Sequence, residues 1–257
     1  MKGALLQTAY LCRCPSWWLG AMLSFAAMMQ GLFGEGVRHG SNLVYMTVCA
    51  MNFGVFIPLA PLAAILAVCM HLESEMRRAC VYSHLLRQGK RRFVLEAGVS
   101  AAIAGGLALA LGWAASLLLV RAVGRAPLTG ENMLGMEQTP LGGLLLGDWA
   151  GLYIPARMLL VFFYGAFCVC CAMPAAMWRQ EAAVICLIPF VALRVMQYLF
   201  SSRLPVLLSP TWMLLGFGVS GQAPGIALIA PVLSLTALGG GLLALSVWLF
   251  GRRLGLD

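Results

Sequence analysis

Six stretches of this chain, residues 17–33, 45–70, 93–120, 153–177, 182–200 and 226–250, are long and apolar and carry at most one charged side chain each. A helix needs about twenty predominantly apolar residues to cross the roughly 30 Å hydrocarbon core of a bilayer. Within that core only helices and closed barrels satisfy their backbone polar groups. The runs are too long for single strands, so their spacing predicts an all-α, polytopic membrane protein with about six transmembrane helices. Composition closes off a water-soluble alternative: only 10% of the 257 residues are charged and 61% are hydrophobic, whereas soluble domains carry about 25% charge. No soluble domain fits between the runs, and residues 1–257 read as one transmembrane domain.

Details of the runs add expectations. Pro58 and Pro61 fall in the second run and remove backbone donors, which predicts a kink there. The third run exceeds a crossing and should tilt or project. Ahead of the first run, Lys2 followed by apolar residues imitates a cleaved signal peptide, but Arg13 and Pro15 interrupt it. Residues 1–14 therefore read as an interfacial helix leading into the first span. Between the third and fourth runs, residues 123–151 include Pro127, Pro140 and several glycines. This segment is expected to be an external loop, with a short re-entrant or interfacial piece around residues 141–146.

Orientation follows from Lys and Arg. With the N-terminus inside, Lys2, Arg13, Arg77, Arg78, Arg87, Lys90, Arg91, Arg92, Arg179, Arg252 and Arg253 are cytoplasmic, eleven against five outside (Arg38, Arg121, Arg125, Arg157 and Arg203). The positive-inside rule then places both termini in the cytoplasm. It also accounts for the formal net charge of +8 as topology and contact with anionic membrane lipid. No nucleic-acid groove is needed to explain that charge.

A search for chemistry finds no catalytic site. Six of the nine cysteines, Cys49, Cys69, Cys168, Cys170, Cys171 and Cys186, lie inside apolar runs and read as small core residues. The cluster Cys168, Cys170 and Cys171 has no His or carboxylate nearby to complete a metal-ligand set, so neither a metal nor another cofactor is expected. Gly218-Val219-Ser220-Gly221 has the form of a rhomboid-protease nucleophile motif, but His39, His71 and His84 all precede it and no base follows. A phosphate-binding loop is excluded as well. The single Gly-Lys pair, Gly89-Lys90, has His84 where that motif requires glycine. Any ATP-driven process must therefore draw its energy from a partner subunit.

Two ionisable residues within the runs bear on transport. Glu96 follows Arg91 and Arg92 near the start of the third run, where a solvated or salt-bridged carboxylate is expected. Arg194 lies inside the fifth run with Gln197 three residues on, on the same helical face. An arginine at membrane depth ordinarily faces the bundle interior or a wet cavity, which makes Arg194 and Gln197 candidates for a pathway or a packing contact.

The richest polar segment is residues 71–92. Glu73 with Arg77, and Glu75 with Arg78, are spaced to meet on a helix surface, while Leu72, Met76, Cys80 and Leu86 supply an apolar stripe. Such a helix suits either a lipid-facing connector or a docking element. Read in order, Glu73 and Glu75, Ala79, Leu85-Leu86, Arg87 and Lys90-Arg91-Arg92 resemble the segment joining spans two and three in ABC-2-type transporter permeases. The glycine-rich run from Ala104 to Gly112 resembles the third span of that family. The resemblance implies a bacterial plasma-membrane permease subunit, commonly an exporter, that pairs with a second permease chain as a homo- or heterodimer. It also implies an ATP-binding cassette subunit as partner, with residues 71–92 as a cytoplasmic coupling segment and Glu73, Glu75, Arg77, Arg78 and Arg87 as its contacts. A secondary transporter or channel, and a membrane assembly protein without transport, remain alternative classes. Gly98, Ala102, Gly106, Ala110 and Ala114 form a small-residue stripe in the third run, and Gly239, Gly240 and Gly241 a second in the sixth, suited to close helix packing within the chain or between chains.

The orientation is directly testable. Cysteine-accessibility labelling should place positions beside Arg77, Arg179 and Arg252 inside, and positions beside Arg38, Glu131 and Arg203 outside. External labelling beside Arg77 would overturn it.

Overall fold

The computed structural model describes residues 2–36, 42–77, 89–124, 141–144, 150–179, 181–200, 209–215 and 224–253. Nine α-helices follow one another among these residues, which include no strand. They are α1 (Lys2–Leu11), α2 (Pro15–Gly31), α3 (Leu43–Phe53), α4 (Phe56–Arg77), α5 (Lys90–Gly124), α6 (Tyr153–Trp178), α7 (Ala182–Phe200), α8 (Pro210–Leu215) and α9 (Pro224–Arg253). Five of them, α4, α5, α6, α7 and α9, are long and apolar enough to cross a membrane. The chain is an all-α polytopic membrane protein.

The first expected span falls on α2, whose 17 residues rise about 26 Å, short of a full crossing. A π-helical turn, Leu32–Gly36, carries it on without a break. The ten residues of α1 are too few to cross, and this helix packs along α5. Thr8 Oγ1 donates to the Ser100 carbonyl at 3.4 Å, and Ser100 Oγ donates to Gln7 Oε1 at 3.1 Å. The other side of α1 leaves Leu5, Leu6 and Tyr10 exposed, as an interfacial helix requires.

The second run departs from expectation. It breaks at Gly54-Val55 into α3 and α4, ahead of both prolines. The Asn42 side chain caps α3 by accepting from the Tyr45 amide at 2.8 Å. At the other end Gly54 is extended, and the Val55 amide donates to Gln30 Oε1 of α2 at 3.2 Å. A neighbouring helix thus satisfies a donor exposed by the break, which makes the interruption tolerable. Pro58 then lies in the first turn of α4, where no helical amide is lost.

α5 is the hub. Its 35 residues pack against α1, α2, α4, α6 and α9. Close approach depends on missing side chains. A methyl on Gly106 would lie 2.7 Å from the Phe162 carbonyl oxygen of α6, and one on Gly112 would lie 2.7 Å from Ser24 Cβ of α2. Between α2 and α4, a methyl on Gly20 would lie 2.5 Å from the Ala63 carbonyl oxygen. Polar side chains then bond across the same contacts to backbone oxygens: Trp17 Nε1 to Ala104 at 2.9 Å, Ser24 Oγ to Leu109 at 2.8 Å and Ser16 Oγ to Ala67 at 3.3 Å. The third-run stripe is therefore used inside the chain, with Gly98 against Leu243 of α9 and Gly106 against α6. In α9, Gly239 meets Cys170, whereas Gly240 and Gly241 have nothing within 4 Å of where a side chain would begin.

The ends of the helices sort into two faces. One, the terminal face, gathers the end of α4, the start of α5, the α6–α7 turn and the end of α9. There Phe93 stacks near Phe250 at 6.0 Å, and Arg253 Nη1 donates to the Met177 carbonyl at 3.0 Å. At the opposite, far face α3 closes a small cluster of Val44, Leu141, Tyr153, Ala156, Leu160 and Ala227. The glycine contacts predict a clear contrast. Gly106→Leu should lower the thermal midpoint in detergent, since overpacking costs about 1–3 kcal/mol, while Gly240→Leu should leave it nearly unchanged; intrinsic tryptophan fluorescence on heating reads both.

Candidate functional site

Three helices, α6, α7 and α9, leave a trough where they flank one another. α7 and α9 both pack on α6, and between them lies a groove of about 880 Å³. Its α6 wall runs from Tyr164 to Trp178 and its α9 wall from Leu238 to Arg253. At 1.5 Å per residue the groove is therefore about 21 Å long. The α9 wall is a ladder of Leu238, Leu242, Leu245 and Leu249, spaced three or four residues apart as one helix face demands. Arg194 and Gln197, the pair singled out from the sequence for a pathway or a packing contact, both line the groove.

Arg194 Nη1 donates to Gln197 Oε1 at 2.5 Å, its one hydrogen bond among the described residues. A guanidinium carries five N–H donors in a planar fork. Pairing with a neutral amide leaves the positive charge uncompensated and the fork open toward the groove. An arginine near the centre of a span costs about 2.5 kcal/mol or more by insertion scales. No Asp or Glu lines the groove among the described residues.

Beside Arg194 the chain does something the sequence did not suggest. After α7 it returns as the short helix α8, with Ser209 and Met213 joined by a backbone bond of 3.0 Å at its start. Thr211 at that start faces Tyr164, nearly halfway along α6, and both line the groove. The last carbonyls of α8, Leu214 and Leu215, accept from Arg157 Nη1 at 3.1 and 2.9 Å, near the far end of α6. Measured along α6, α8 thus starts at mid-depth and climbs outward, with Met213 and Leu214 buried. It is a re-entrant element.

Arg157 is the residue this arrangement turns on. Only 3% of it is exposed, and Tyr153 supports it from one turn away, its Oη accepting from Arg157 Nε at 3.2 Å. Counted from the sequence among the outside arginines, Arg157 lies near the far end of α6 and acts as an internal clamp. Its spacing of four from Tyr153, and the Ser209-Pro210 pair that favours a helix start, are the two signals that could have revealed it. The re-entrant piece expected around residues 141–146 is, over the part described, a single 3₁₀ turn, Gly142–Leu144, held by buried Leu141.

The other candidates divide. Glu73 and Glu75 lie half-buried on the last turns of α4, on the terminal face, while Leu72 and Met76 turn inward and are buried. Arg77 ends that helix. Arg78 and Arg87 lie outside the described residues, as do Cys80, Leu86 and the Gly218–Gly221 motif. Glu96 accepts from Arg92 Nε at 3.0 Å at the start of α5, the salt bridge anticipated for it. Cys168 and Cys170 are buried in the core with Cys171 half-buried beside them, and no three His, Cys, Asp or Glu among the described residues are placed to hold a metal ion.

No protein-family model matches the chain, and no curated protein matches it in sequence.

Arg157 gives a measurable consequence. Arg157→Leu removes two hydrogen bonds to carbonyls that have no other helical partner, and charge-assisted bonds contribute about 1.5–3 kcal/mol. Proteolysis at a site engineered before Ser209 should accelerate several-fold in Arg157→Leu, and Arg157→Lys, which lacks the fork, should recover only part of the protection.

Proposed function

We propose that this protein is the membrane-spanning permease subunit of an ABC-type transporter, an exporter energised by a separate ATP-binding subunit. The observation that carries the reading is the terminal-face end of α4. The helix does not stop where its apolar stretch stops, but continues through Glu73, Ser74 and Glu75 to Arg77, anchored from inside by buried Leu72 and Met76. A rigid, charged helix end that is continuous with a membrane span can pass a push from outside the membrane into the bundle. A solvated linker cannot.

Three further features agree with it. α1 lies against the hub helix as an interfacial element ahead of the first span. α4 packs directly on α7, which forms one wall of the groove, so a displacement of the α4 end reaches that wall through one contact. The re-entrant α8 sits at the far end of the same groove. A second copy of the chain, or a related permease chain, completes the assembly on this reading, in a plasma membrane with both termini cytoplasmic. Glu96, bonded to Arg92 at the start of α5, is poorly placed to carry a coupling ion, which disfavours an ion-driven transporter.

The test is association with an ATPase. Glu73→Lys/Glu75→Lys changes only the charged end of α4, beyond its apolar stretch, and adds positive charge to the side already rich in it, so insertion and abundance should be normal. Charge pairs at an interface fix register and partner choice, so co-purification with the ATP-binding subunit and transport-linked ATP hydrolysis should fall at least tenfold. Intact association and hydrolysis in the double reversal would remove the coupling role.

A further inference from the structure

We infer that the groove between α6, α7 and α9 is a binding site for an anionic phospholipid taken from the bilayer, with its phosphate on Arg194 and an acyl chain along the leucine ladder of α9. The inference is independent of any ATPase.

The chemistry of the groove is ordered along its length. Four of its polar residues cluster toward the far face, Arg194, Gln197, Ser209 and Thr211, while Arg253 stands at the terminal end and donates to the Met177 carbonyl. Arg194 stands twelve residues into α7, about 18 Å from the terminal end of that helix. Its guanidinium reaches toward Gln197, one turn nearer the far face. Below this cluster the walls are apolar, with Phe167 and Pro174 on α6 facing Leu242 and Leu245 on α9. An amphiphile with one polar end and a long chain fits this order, with its head toward the far face and its tail toward the terminal face.

Charge decides the headgroup. The fork of Arg194 has four N–H donors beyond the one given to Gln197, and a guanidinium matches a phosphate or carboxylate bidentately. With no carboxylate on the groove walls among the described residues, the ligand must supply the counter-charge. Gln197 holds the fork in the direction of the headgroup, and the Thr211 and Ser209 hydroxyls offer further contacts at that end. The tail is drawn from the surroundings: α7 and α9 expose Ile188, Val191, Leu233 and Leu245, so the trough is continuous with the lipid phase. A ligand can enter sideways without crossing water.

Native mass spectrometry of the purified chain in detergent, titrated with phosphatidylglycerol or phosphatidylcholine of identical acyl chains, tests the site. The wild type should hold one phosphatidylglycerol about tenfold more tightly than phosphatidylcholine, the effect of a single charge-assisted contact. Arg194→Gln should abolish that preference while Arg194→Lys keeps most of it, which separates loss of charge from loss of fold. Ala192→Trp, which fills the groove and spares Arg194, should weaken both lipids. Arg253→Gln, at the other end, should leave the preference intact. Equal binding of the two lipids by the wild type would overturn the site. So would a preference that survives Arg194→Gln, or one that disappears in Arg253→Gln.

Discussion

The fold depends on backbone meeting backbone at α5. In lipid the hydrophobic effect gives helices little reason to associate, because acyl chains are as apolar as leucine, so association rests on contact area and on hydrogen bonds. Glycine supplies the first by letting α2 and α6 reach the α5 main chain at Gly112 and Gly106. That closeness supplies the second: Trp17 and Ser24 of α2 can then reach the carbonyls of Ala104 and Leu109. The two effects are coupled. A larger side chain at Gly112 would displace the helix carrying Ser24, so a steric change would also cost a hydrogen bond.

Packing is uneven around this centre, and the unevenness is informative. The spanning part of α4 is 67% buried, whereas that of α7 is 17% buried. α2, α4, α5 and α6 form a frame held by close backbone contacts. α7 and α9 lie outside that frame, with 17% and 28% of their spanning parts buried, and leave the groove between them. Segments with fewer buried contacts open at lower free energy, so α7 and α9 are where the bundle can change shape at small cost. The clamp on α8 works against this looseness, since Arg157 ties the re-entrant helix to α6, the frame side of the groove.

The sequence made the frame legible and the local exceptions obscure. Apolar run length is a strong signal because it is set by bilayer thickness: the third to sixth runs appear as crossing helices close to their expected bounds, and the second crosses only from Phe56 onward. The break in the second run was misplaced for a physical reason. Proline removes a donor wherever it stands, but in the first turn of a helix that donor is free anyway, so Pro58 could start a helix without breaking one. The decisive residue was Gly54, whose interruption is tolerable only because Gln30 of another helix answers the Val55 amide. A partner 25 residues away leaves no trace in a local pattern. Arg194 was recognisable from charge at depth alone. Arg157 was not, because an arginine four residues inside a span looks the same whether it snorkels to water or, as here, turns inward to close a buried helix.

That difference between two arginines shows how the bundle handles charge in lipid. Arg157 has its fork answered by two carbonyls and a phenol, all internal, so burial stabilises one arrangement of the chain and holds it. Arg194 has an amide and an open groove, so its environment is incomplete in the absence of a ligand. Buried charge is costly in proportion to what is left unanswered. A chain that needed only a stable bundle could place leucine at position 194 at no loss, as it does around the rest of the groove. Keeping arginine there makes the groove favour an anion over any neutral lipid. Because α7 carries that arginine and also contacts α4, whatever fills the groove and whatever displaces the α4 end act on the same loosely held helix.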